Sequence, residues 1–154
     1  MKRTPEDQRI VERMAPGALC AEGFLGVDGR SLGDILADDA REVESMGLTH
    51  EQIAATLEDI LCAAQEALGN PVSVGEHLSA VCSDAMGPIP CPWGGCGLFA
   101  KGEVHLTDTA GGRTLCFTPL SVHLIRRHGF YQGRGGRYRL EPSELAHLLG
   151  LGVY

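Results

Sequence analysis

The sequence predicts an α+β fold, and three observations carry that prediction. The first 70 residues repeat apolar side chains at helical spacing between cap-like residues, whereas residues 98–117 break into short runs of strand formers separated by glycine turns. Between and after these runs lie two closely spaced pairs of polarisable side chains, Cys91 with Cys96 and His123 with His128. The expected architecture is an acidic helical N-terminal part with a helical hairpin, over residues 1–86, followed by a small β-meander plus helix over residues 87–154.

Composition sets the limits. A chain of 154 residues that is 44% hydrophobic and 21% charged is an ordinary globular mixture, which excludes a disordered one. Aromatics make up only 5% against 21 glycines, so the core is expected to be modest, aliphatic and cut by tight turns, a core that benefits from a staple. The formal charge of −7 is uneven. Residues 1–90 carry 6 basic and 16 acidic side chains, and residues 91–154 carry 7 and 4. The first part should repel nucleic acid; the second could attract it. No apolar run is long enough to span a bilayer, and acidic residues follow Met1-Lys2-Arg3 where a secretory leader would be apolar, so a cytoplasmic protein is expected. In a reducing compartment six cysteines imply no disulfide framework, and Cys62 reads as a small buried side chain.

The elements follow in order. Thr4 is a helix N-cap, Pro5 occupies the first turn, Glu6 and Asp7 complement the dipole, and Ile10, Val11 and Met14 form a short stripe ended by Pro16-Gly17. Ser31 with Asp34 opens a second helix bearing Leu32, Ile35, Leu36, Val43 and Met46, which stops at Gly47. Thr49 with Gln52 opens a third, whose apolar face runs through Ile53, Leu57, Ile60, Leu61, Ala64 and Leu68. The stretch 47–54 resembles the turn and first residues of a helix-turn-helix reader, but the polar face of the helix carries Glu51, Glu58, Asp59 and Glu66 and no Arg or Lys to meet phosphates. An acidic packing hairpin is the better reading. A short β-hairpin is expected from 71–74 and 77–82, and Gly87-Pro88-Ile89-Pro90 makes a stiff, extended approach to Cys91.

From there Leu98–Ala100, Glu103–Asp108 and Arg113–Phe117 read as a three-stranded meander, and Thr118-Pro119 starts a helix that Gly129 terminates. Gly94 and Gly95 let the chain turn sharply between the two cysteines, and the two histidines sit on the helix. Two thiols on a turn and two imidazoles on a helix are what Zn2+ takes, because it accepts four tetrahedral nitrogen or sulfur ligands and orders little chain per bond when they come as close pairs. On these residues the segment 91–128 resembles the two-Cys, two-His zinc-finger class. That resemblance implies Cys91, Cys96, His123 and His128 as the metal ligands. The 26 residues between Cys96 and His123 are about twice the usual dozen, which removes any inference of tandem three-base recognition. Because residues five apart lie roughly 140° apart on an ideal helix, His128 is expected to reach the ion through a loosened last turn.

A rival ligand set is close by. A four-residue turn at 109–112 pairs position 105 with 116, setting His105 opposite Cys116 on one face of the sheet while Leu106 and Leu115 share the other; a mixed polar pair on the outer face is the plainer reading. The segment 126–139 interleaves Arg126, Arg127, Arg134, Arg137 and Arg139 with Tyr131 and several glycines, a composition that could bind phosphates and stack bases, or grip the acidic half of the same chain. Leu140–Gly150 reads as a final helix whose leucines seal the core.

Four protein ligands leave zinc no open position, so the expected role is a binding or interaction module with a structural Zn2+, a protein partner being favoured over nucleic acid. The enzyme alternative is a zinc-dependent hydrolase in which one ligand is missing and His105 or Glu103 acts as base on a metal-bound water. No His-Glu-x-x-His, phosphate loop or nucleophile elbow is present to favour it.

Overall fold

Residues 4–151 are described by a computed structural model of the chain. The first helix, α1 (Pro5–Arg13), is closed by a reciprocal capping box between Thr4 and Asp7 and buries Ile10, with Met14 at its C-cap. The second, α2 (Leu32–Ser45), is capped by Ser31, whose hydroxyl accepts from the Asp34 amide, and buries Leu32, Ile35 and Val43. A four-residue joint leads to α3 (His50–Glu66), where Thr49 and Gln52 form a second full capping box. Its inward face is Ile53, Ala54, Leu57, Ile60, Leu61 and Ala64. Leu68 does not belong to that face: it lies beyond the C-cap with φ 53° and is 87% exposed. Cys62 is exposed as well, correcting its expected burial, because it falls on the outer side of a helix that packs on one face only.

The main sheet is antiparallel with order β1-β2-β5-β6, built from β1 (Val72–Gly75), β2 (Leu78–Ser83), β5 (Glu103–Asp108) and β6 (Thr114–Phe117). Its register pairs His105 with Cys116 and Leu106 with Leu115, the pairing expected from a four-residue turn. The strand expected to begin a meander goes elsewhere. β4 (Leu98–Ala100) pairs with β3 (Pro88–Pro90) in a separate two-stranded ladder, so Cys91 and Cys96 occupy the loop of their own hairpin. The physical reason is that the two prolines of β3 lack N–H donors and suit only an edge, which a two-stranded ladder supplies on both sides.

The helix α4 (Pro119–His128) carries a capping box between Thr118 and Ser121 and ends on left-handed Gly129. Last comes α5 (Pro142–Leu149), which buries Leu145 and Ala146. Two clusters make the core. One gathers α3, the main sheet, α5 and Tyr131; the other gathers Ile10, Met14, Phe24, Ile35, Cys91, Leu120, Leu124 and Phe130. Each draws on residues from both sides of position 87, and the β2–β5 ladder crosses it too.

The glycine-rich segment after α4 is packed rather than free. Gly133 donates to the Phe24 carbonyl, and a Cβ at Gly133 would lie 2.1 Å from the Leu25 carbonyl oxygen, just as a Cβ at Gly26 would lie 2.3 Å from the Gly136 amide nitrogen. Only glycine allows the two backbones to touch there.

Candidate metal centre

The sequence that turns the knuckle is Cys91-Pro92-Trp93-Gly94-Gly95-Cys96-Gly97. The Gly94 amide donates to the Cys91 carbonyl at 2.9 Å, and Gly94, Gly95 and Gly97 all have φ between 70° and 87°, a region that side chains with a Cβ rarely adopt. This tight path brings both sulfurs to one side, with Cys91 fully buried and Cys96 partly so.

On α4 the last turn does not loosen as expected. Gly129 donates to Ile125 as an ordinary helical bond, and Phe130 donates to Leu124 in the wider closure of a left-handed C-terminal cap. The two imidazoles converge through their side chains, standing edge to face with centroids 5.3 Å apart. Trp93 stacks on His128 at 4.1 Å and 6°, and Phe99 of β4 covers His123 at 4.5 Å. Two aromatic lids thus fix two rings.

Cys91, Cys96, His123 and His128 each offer one ligand atom, and all four atoms lie within 4.8 Å of one another. The Cys91 and Cys96 sulfurs are 3.4 and 3.8 Å from the same atom, His128 Nε2. A tetrahedral zinc with bonds of about 2.3 Å to sulfur and 2.0–2.1 Å to nitrogen would hold sulfur and nitrogen roughly 3.5 Å apart, so the spacing fits. A single imidazole nitrogen has one lone pair and can satisfy one thiol, not two. Among the described residues His123 Nε2 is the one fully buried side-chain polar atom without a hydrogen-bond partner. Such an orphan is costly, and a bound cation would repay it.

Charge states agree with ligation by imidazole. Burial, with His123 and Arg127 nearby, pushes His128 down to about 4, and burial with Arg127 lowers His123, so both rings are neutral near pH 7 and carry free lone pairs. Burial raises the Cys91 thiol to about 11, so a metal must displace its proton.

The knuckle has a clamp that sequence reasoning missed. Arg13, the last residue of α1, donates through Nε to the Pro92 carbonyl and through Nη2 to the Trp93 carbonyl, the latter at 3.2 Å. No local pattern signals it, because the partners lie 79 and 80 positions apart.

The rival set is also assembled. Glu103, His105 and Cys116 offer ligand atoms within 4.8 Å of one another on the outer face of the sheet. Here each group already has a partner. Glu103 accepts from the Tyr138 hydroxyl at one oxygen, while Arg137 (2.9 Å), His105 (3.2 Å) and the Cys116 thiol (3.7 Å) reach the other. Tyr138 and Arg137 hold the Glu103 carboxyl down to about 2, and burial drives the Cys116 thiol up to about 12.

All but Arg127 of the residues expected to meet an anion or a nucleic acid are engaged by side chains of the chain itself. Arg126 pairs with Glu51 and Glu58, Arg134 with Glu141, Arg137 with Glu103, and Arg139, almost fully buried, with Asp39 and Glu141. Tyr131 is 1% exposed and its hydroxyl lies 2.8 Å from His50 Nδ1, so its ring has no free face for a base. Arg127 is exposed and forms no ion pair with the described residues. No helix among the described residues is long and apolar enough to cross a membrane. No protein-family model, curated protein or solved structure matches the chain, so the convergence of two thiols and two imidazoles is the observation on which a functional reading has to be built.

Proposed function

We propose that Cys91, Cys96, His123 and His128 hold one structural Zn2+ and that the protein is a binding module rather than a catalyst. The observation that carries this reading is the meeting of four donors within 4.8 Å, one of them the His123 imidazole, whose buried Nε2 has no hydrogen-bond partner. When bound, the ion supplies a covalent-strength tie between the β3–β4 hairpin and α4. The chain's own residues do the rest. Trp93 and Phe99 shield the imidazoles, Gly94 and Gly95 set the sulfur positions, and Arg13 binds α1 to the same knuckle. Four protein donors fill a tetrahedral shell and leave no position for water or substrate.

A protein partner is the preferred target. Four of the five basic side chains between 126 and 139 are paired with carboxylates of this chain and Tyr131 is buried, which leaves little positive surface for a phosphate backbone. The test uses the full chain. Metal analysis should give one zinc per chain, and cobalt substitution should give the intense visible absorption of a four-coordinate thiolate site. A zinc-loaded protein whose Cys91 and Cys96 still react freely with a thiol reagent would sink the proposal. Salt-dependent retention of mixed oligonucleotides would overturn the partner assignment while leaving the metal site standing.

A further inference from the structure

Away from the metal centre, a cavity of about 210 Å³ opens between the loop at 20–24, β3, the start of α4 and the loop after it. Phe24, Ile89 and Leu120 form its apolar walls; Gln132, Glu103 and Tyr138 supply polar atoms. Glu103 and Tyr138 also line an open vestibule outside it, together with Arg137. The volume lies below the roughly 300 Å³ at which drug-sized pockets begin, so the chamber suits a one- or two-ring compound.

Gln132 makes the cavity more than a packing gap. It is held at φ 69°, one of two residues other than glycine with positive φ among those described, and is only 4% exposed. The surroundings fix it there: its carbonyl accepts from Arg139 at 2.8 Å, Arg139 is locked on buried Asp39, and the next residue donates to Phe24. Its side-chain carboxamide, however, engages no hydrogen bond within the described residues. A strained backbone that sets a carboxamide with no protein partner at a cavity wall, its polar atoms not sealed from solvent, leaves one donor and one acceptor free for a bound molecule.

We infer that this cavity binds a nucleoside, the base in the apolar chamber and the sugar in the vestibule. A carboxamide presents one donor and one acceptor side by side, which matches the adjacent donor and acceptor on the edge of a pyrimidine or purine in a bidentate pair. Phe24 and Leu120 supply the apolar surface that a ring needs. In the vestibule Glu103 has one oxygen that accepts only from Tyr138, so a lone pair is free for a sugar hydroxyl. Arg137 neutralises the carboxylate and limits repulsion of an electron-rich ligand. The inference is independent of the metal assignment, because none of the four proposed ligands lines the cavity.

The test is titration of the full, zinc-loaded chain with uridine and with adenosine, followed by amide and methyl NMR shifts. Methylated controls, 3-methyluridine and N6,N6-dimethyladenosine, lose the donor on the base edge. The expected result is saturable movement of the Phe24, Leu120 and Gln132 signals with one of the two nucleosides, and at least about tenfold weaker binding of its methylated control. Gln132→Leu should weaken the unmethylated ligand by a similar factor. The methylated controls keep the question answerable with native protein should that variant fold poorly. No saturable shift with either nucleoside at ~10 mM, where even millimolar binding registers, would overturn the proposal. So would equal binding of the methylated control, or a well-folded Gln132→Leu protein that binds as the native one does. The uridine and adenosine arms decide between a pyrimidine and a purine site.

Discussion

Two clusters of ligand-type side chains stand among the described residues, each with its donor atoms within 4.8 Å of one another, and they differ in what they leave unsatisfied. At the knuckle two sulfurs crowd one nitrogen of His128, and His123 Nε2 has nothing to bond. On the sheet, Glu103 collects a tyrosine, an arginine, a histidine and a thiol, so every ligand-type group of the cluster already has a partner within the chain. Proximity of donors is therefore a weak criterion for a metal site. The stronger one is an unpaid electrostatic debt, which the first cluster has and the second lacks.

That comparison can be broken most decisively by counting metal. The native chain should bind one zinc, Cys91→Ser or His123→Ala should bind none, and Cys116→Ser should still bind one. Because zinc in structural sites of this type supplies on the order of 10 kcal/mol, the first two variants should lose most of their cooperative thermal transition, as should native protein treated with a strong chelator. Two zinc ions per chain, one lost with Cys116, would erase the distinction between the clusters.

A smaller effect probes what surrounds the ligands. Arg13→Ala removes both hydrogen bonds to the knuckle carbonyls, and zinc affinity should fall about 10- to 100-fold in a competition titration, with the stoichiometry unchanged. Trp93 is the single tryptophan and stacks on His128, so its fluorescence reports the same event. Its emission should change on metal removal and stay constant in Glu103→Gln.

The sheet cluster responds to pH instead. Glu103 is held at about 2, below its unfolded value of about 4.5, so its contribution to stability is fully present above about 4.5 and is lost as pH falls toward about 2. Glu103→Gln should cost about 1 kcal/mol at pH 7 by denaturant unfolding, a difference from native protein that shrinks through that acid window. A difference that persists unchanged at the acid end would mean the carboxylate charge is not what Tyr138 and Arg137 recognise. Smallest of all, His105→Gln should move stability by no more than about 0.5 kcal/mol and leave zinc content alone, since the ring is 40% exposed.

Much of this arrangement can be read along the chain because it depends on local chemistry. The capping pairs Thr4/Asp7, Thr49/Gln52 and Thr118/Ser121 lie three residues apart, and a cap is formed by the residues that bear it. The His105–Cys116 register follows from the length of one turn. Leu68 misled because helical periodicity does not say where a helix stops, and this leucine, two positions past Glu66, itself adopts the left-handed conformation that takes it off the helical face. Strand β4 misled for a related reason: its residues suit a strand beside either neighbour, and only the three-dimensional fold chooses between β3 and β5.

The sequence by itself determined the local elements, the division between an acidic and a basic part, and the donor set of the knuckle and α4, since spacing, caps and charge are properties of neighbouring residues. The tertiary structure alone decided that four donors converge with one nitrogen orphaned, that the arginines of the glycine-rich segment are spent on the chain's own carboxylates, and that Gln132 stands strained and unpartnered at a cavity. Those outcomes depend on contacts between residues far apart in sequence, such as Arg13 with Trp93 and Arg139 with Asp39, and no local pattern encodes which distant partner a side chain will meet.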